Sequence, residues 1–171
     1  ETMVTMPDRR RLLELARQAL TAGSDRQPEL VWADRCLRAW NGLIVDVTAP
    51  ESAARFPKTV TVGEQQEGAW GRLDWEISEN QAGLALGQVL NLITTDTLKV
   101  MSLPNRPEKP VKKWLQEMRI PPWWRRHLPV LTNKNTPVWL LPVGPLGGDD
   151  DPDGMSPVQT LRPIWTPPAR F

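Results

Sequence analysis

The sequence predicts an α+β fold of two small domains, each a short β-sheet or hairpin unit packed with one or two helices. Three features carry that prediction. Eighteen prolines in 171 residues leave little room for long helices, because each removes a backbone donor and clashes with the preceding turn. An Asn41-Gly42 pair separates two short apolar runs, the pattern of a two-residue hairpin. Two further stretches place apolar residues at helical spacing.

The elements follow in chain order. Asp8 is a suitable N-cap, and Leu12, Leu15, Ala16, Ala19 and Leu20 then keep helical spacing to Gly23, with Arg9, Arg10 and Arg11 as the solvated face. CLRAW (36–40) and LIVDV (43–47) flank the Asn-Gly and read as a hairpin with both turn residues at positive φ. Beyond Pro50, KTVTV (58–62) and the alternating RLDWEIS (72–78) read as strands. The polar SENQAG (78–83) places a domain boundary between residues 82 and 83, giving domains 1–82 and 83–171. GQVLNLI (87–93) and TLKVMS (97–102) then read as a second hairpin. A helix follows over about residues 107–119, with Pro107 in its first turn and Val111, Trp114, Leu115 and Met118 forming one apolar stripe. Ile120-Pro121-Pro122 stops it, and WWRRH is expected to form a short second helix. VLT (130–132), VWLLPV (138–143) and LRPIW (161–165) close the second domain as strands.

Composition narrows the chemistry. A hydrophobic fraction of 40% and a net charge of +1 fit a globular chain. Cys36, the single cysteine, has no partner for an internal disulfide and reads as a small strand residue. No apolar signal segment is seen, and 137–148 is too broken by Pro and Gly to span a bilayer, so a cytoplasmic protein with no membrane partner is expected. His127 is the single histidine, so neither a histidine metal site nor a Ser-His-Asp triad can be assembled. Neither GxxxxGK[ST] nor GxGxxG occurs. Asp149, Asp151, Asp153 and Gly154 match the opening of a calcium loop, but the twelfth position is Thr160 and Pro152 interrupts it, so a solvated loop is expected. No catalytic or metal-binding residue is therefore assigned.

Charge is concentrated on one segment. Arg106, Lys109, Lys112, Lys113, Arg119, Arg125 and Arg126 face only Glu108 and Glu117, so 106–127 carries +5 and the remainder −4. On the helix, Lys109, Lys112, Lys113 and Gln116 lie opposite the apolar stripe. Two readings stay open at this point: a phosphate-binding face, or a solvated helix with Lys113 paired to Glu117 four residues on. Trp123 and Trp124 are equally divided. One is expected to pack under the helix end, and the other, taken as Trp124, either stacks on a base or covers core.

The run KPVKKWLQEMRIPPWWRRHLPVL (109–131) resembles the C-terminal domain of bacterial tRNA(Ile)-lysidine synthases. The likeness rests on Val111-Lys112-Lys113-Trp114, on Ile120-Pro121-Pro122-Trp123-Trp124-Arg125, and on Leu128-Pro129-Val130-Leu131 followed by VWLLPVG. The earlier helix and CLRAWNGLIVDV are similar to the family's middle domain. The resemblance implies tRNA as a partner, with Arg106, Lys109, Lys112, Lys113, Arg119, Trp124, Arg125 and Arg126 as nucleic-acid-binding residues. It also implies, as a second partner, the N-terminal catalytic domain of the same enzyme. In that family this domain uses ATP and Mg to attach lysine to the wobble cytidine of an isoleucine tRNA, through an SGGxDS loop. No SGGxDS occurs here, so no cofactor is assigned to this chain and it is expected to be inactive alone. The rival reading is a protein-interaction or structural module with Trp-rich packing surfaces.

Overall fold

A computed structural model describes residues 7–21, 26–33, 35–47, 56–78, 83–147 and 160–168. The chain divides into a unit running to Ala53 and a second from Ala54 to Pro168. Most of the described elements are strands, accompanied by two helices.

In the first unit, helix α1 (Arg9–Thr21) starts where Asp8 Oδ1 accepts the Arg10 N–H at 3.1 Å. Three strands follow, β1 (Glu29–Trp32), β2 (Arg35–Trp40) and β3 (Leu43–Asp46), forming an antiparallel sheet in that order. The β2–β3 turn is the expected one: Asn41 and Gly42 have φ of 51° and 79°, a conformation glycine and asparagine tolerate at low cost. Leu15 and Ala19 of α1 meet Leu30 and Ala39 in a small core, with Leu12, Trp32 and Leu37 at its margin. Leu20 falls outside this stripe and is exposed.

The second unit holds β4 (Thr59–Thr61), β5 (Gln66–Gly68), β6 (Gly71–Ile77), β7 (Leu84–Ala85), β8 (Val89–Thr94), β9 (Val100–Met101) and β10 (Lys109–Pro110). Helix α2 (Val111–Glu117) comes next, then β11 (Pro129–Asn133), β12 (Thr136–Leu140), β13 (Gly144–Pro145) and β14 (Thr160–Thr166). One sheet runs β13-β12-β11-β8-β4, a second β5-β6-β14-β7, and β9 pairs with β10 alone. Alternation sets the inner faces: Leu73 opposes Trp165 across β6–β14, and both are buried. Gly71 permits this pairing, since a Cβ there would lie 2.3 Å from the Thr166 carbonyl oxygen and its φ is 110°.

Four expectations are corrected. The boundary at 82/83 runs through the sheets, because β4 pairs with β8 and β6 with β14 across it. The second hairpin is absent: β8 bonds to β11 and β4, while β9 bonds to β10. The helix expected from 107 begins at Val111, because Lys109 precedes a proline and enters the β9 ladder instead. WWRRH forms turns, with Trp124 N–H donating to Pro121 O and His127 N–H to Trp124 O, each three residues back. Asp149, Asp151 and Asp153 of the acidic loop lie outside the described residues. No described helix is long and apolar enough to cross a membrane.

Candidate nucleic-acid interface

Helix α2 is organised around Trp114. Val111, Trp114 and Leu115 are buried, and the indole is 1% exposed. Its Nε1–H donates to the Met101 carbonyl at 2.9 Å, so the polar atom of a deeply buried ring is satisfied. Lys109 Nζ lies 4.5 Å from the ring centroid, and the Arg106 guanidinium carbon lies 5.7 Å away, both within cation–π range. Lys109 also pairs with Glu117, at 3.0 Å from Oε1. Glu117 thus pairs with Lys109, eight residues away, and not with Lys113 as in the solvated-helix reading. Lys109 and Arg106 brace the tryptophan, whereas Lys112 and Lys113 are exposed on the opposite side of the helix.

The helix ends in a Schellman arrangement. Ile120 N–H donates to Leu115 O and Arg119 N–H to Gln116 O, each at 2.9 Å. This places exposed Arg119 at φ 55°, where glycine is usual. Pro121 and Pro122 then turn the chain, and Trp123 and Trp124 are both half-buried. Arg125 reaches back to the helix end, its Nε donating to Ile120 O at 2.8 Å. Burial holds its guanidinium below the ordinary arginine range. Arg126 is exposed. A 3-10 turn at Thr95–Thr97 carries the backbone of this segment. The Thr95 and Asp96 N–H groups donate to Leu128 O and Arg126 O, and the Thr95 hydroxyl donates to Arg125 O at 2.7 Å.

The structure thus connects Arg119 and Arg125 at the end of α2, and Arg106 and Lys109 on Trp114. Sequence reading missed two residues here. Exposed Lys99 comes to the start of the helix because its carbonyl accepts the Val111 N–H at 3.1 Å. Thr95 is 2% exposed and polar, a combination visible only in three dimensions. Neither has a local signal, because each meets the site through pairing distant in sequence. Among the described residues, no group of three or more His, Cys, Asp or Glu side chains could hold a metal.

Fold and site together define a β-rich domain that carries a cation-bearing helix, its opposite face anchored by tryptophan. Residues 96–165 match the family model described as the TilS substrate C-terminal domain. A tRNA(Ile)-lysidine synthase of Azoarcus sp. (strain BH72) is 31% identical over 109 residues, which cover 61% of this chain and 23% of that protein. Residues 96–165 therefore correspond to a TilS C-terminal domain. The matched region spans less than a quarter of the relative's length.

Proposed function

We propose that this chain is the tRNA-binding C-terminal portion of a tRNA(Ile)-lysidine synthase, which positions isoleucine tRNA for lysine attachment by a catalytic domain of the same cytoplasmic enzyme. The observation that carries the proposal is the two-sided helix. Val111, Trp114 and Leu115 commit one face to the core, and Lys112 and Lys113 stand on the other, within the stretch matched to the family. Lys112, Lys113, Arg119, Arg125 and Arg126 are the phosphate contacts in this reading, and Lys99 joins them. Arg106 and Lys109 act first as supports for Trp114. Trp124 lines the same segment.

The rival reading, a module with Trp-rich packing surfaces, draws less support. Trp70, Trp114, Trp139 and Trp165 are buried, and the other five tryptophans are at least half-buried. The chain's tryptophans are spent mainly on its own packing.

Titration with isoleucine tRNA at two salt concentrations tests the proposal. Lys112→Ala with Lys113→Ala should weaken binding and reduce the log–log salt slope by about two, roughly one unit per lost phosphate contact. The melting temperature should barely move, since exposed substitutions usually shift stability by about 0.5 kcal/mol or less. Unchanged affinity and slope would refute the assignment of this face.

A further inference from the structure

We infer that Arg125 is the anchoring phosphate contact of this surface, a guanidinium fork held in one orientation, with Thr95 as the residue that positions it. The inference rests on the RNA-binding reading above and separates one cation from the others by its geometry.

Among the described arginines, the guanidinium groups of Arg17, Arg35, Arg38, Arg72 and Arg162 are each fixed by a carboxylate, which also neutralises them. Arg125 is fixed differently. Its Nε donates to a neutral carbonyl, Ile120 O, and no ion pair joins it to a carboxylate among the described residues. That bond uses one of five N–H groups and leaves the two Nη nitrogens as a planar donor pair, the shape that grips a phosphate with two parallel bonds. Arg11 also donates to a carbonyl, Val31 O, but it is exposed. Arg125 is half-buried, so its charge is partly stripped of water without receiving a counter-charge. A phosphate arriving there restores what burial removed.

The backbone is equally constrained. The Thr95 hydroxyl and the Thr95 and Asp96 N–H groups hold the carbonyls of Arg125, Leu128 and Arg126. The Asp96 carboxylate accepts the Thr94 hydroxyl. The Arg125 backbone carbonyl and the Nε of its side chain are therefore both tied before any ligand binds, and a pre-oriented donor loses less conformational freedom on binding. Lys112 and Lys113 have no such restraint and contribute through charge alone.

The test uses the full chain and transcribed isoleucine tRNA at two salt concentrations. Arg125→Lys keeps the charge and loses the fork. It should weaken binding about tenfold, the loss expected for a charged hydrogen bond, while leaving the salt slope unchanged. Arg126→Lys should stay within about twofold, as expected of an exposed point charge. Arg125→Gln retains a donor for Ile120 O, and should lose affinity together with about one unit of slope. Thr95→Val, nearly isosteric, should weaken binding in the manner of Arg125→Lys, and Thr95→Ser should restore it. Circular dichroism melts confirm that each variant is folded at the assay temperature. An Arg125→Lys protein that binds as tightly as wild type, or loses no more than Arg126→Lys, overturns the anchor. A folded Thr95→Val protein with wild-type affinity removes the positioning role. Absence of salt-dependent binding by the unmodified chain defeats the RNA reading itself, and the anchor with it.

Discussion

Replacing Trp114 by alanine removes three things at once, and the structure allows each to be sized. The ring is 1% exposed, so its loss leaves a cavity, and Trp→Ala substitutions in such sites cost about 3–5 kcal/mol. The Met101 carbonyl loses the Nε1–H donor at 2.9 Å, and a buried acceptor left unpaired costs about 1–3 kcal/mol, part of which is already contained in the first figure. Lys109 and Arg106 lose the ring face, worth about 0.5–1 kcal/mol each at sites reached by water. Trp114→Phe separates these contributions. It keeps much of the apolar volume and a ring for the cations, but not the donor, and should cost about 1–3 kcal/mol. Urea denaturation followed by circular dichroism would read both as shifts in midpoint at constant slope. A loss of 3 kcal/mol or more is a large part of the typical 5–15 kcal/mol of a domain, so tRNA binding by Trp114→Ala should fail through unfolding. Equal costs for the two variants would show that the Nε1–Met101 bond carries the whole effect and the ring's volume none, whereas a negligible cost for Trp114→Phe would show that the bond contributes nothing. A Trp114→Ala cost under about 1 kcal/mol would refute the anchoring role of the ring.

Two further predictions follow from other sites. Arg119→Gly should stabilise the protein while weakening tRNA binding. The left-handed conformation costs a non-glycine residue about 1–2 kcal/mol, which exceeds the roughly 0.4–1 kcal/mol of extra unfolded-state entropy that glycine brings. A melting temperature that falls, or affinity that rises, contradicts this. In the first unit, the Arg17 hydrogen bond, followed by that of Gln18, pulls the Glu14 carboxyl down to about 2 from 4.5. Because the folded value is depressed, any stability from this group is present above about 4.5 and lost as the pH falls toward about 2. The effect on stability is small at so exposed a pair. NMR titration of the Glu14 carboxyl should show the low midpoint in wild type and a return toward 4.5 in Arg17→Ala.

What the sequence determined by itself is whatever neighbouring residues decide. Asn41-Gly42 turns the chain because those two residues accept positive φ, whatever surrounds them. The spacing of Val111, Trp114 and Leu115 selects a buried helical face, and the alternation of β6 selects an inner one. The Lys112-Lys113-Trp114 and Ile120-Pro121-Pro122-Trp123-Trp124-Arg125 runs likewise carry the family likeness in linear form. Tertiary structure decided which segments meet. β14 lies against β6, with Arg162 and Glu76 paired across 86 positions, and β8 found β11 instead of the adjacent β9. Pairing of this kind depends on burial of whole faces, which no local window contains. The same holds for the roles of the cations. Lys109 and Lys113 look alike along the chain, yet one is drawn onto the Trp114 ring and Glu117 while the other stays in solvent. Arg125 and Arg126 are neighbours, and only the fold ties the first to Ile120 O, because a side chain's partners are set by the elements packed around it.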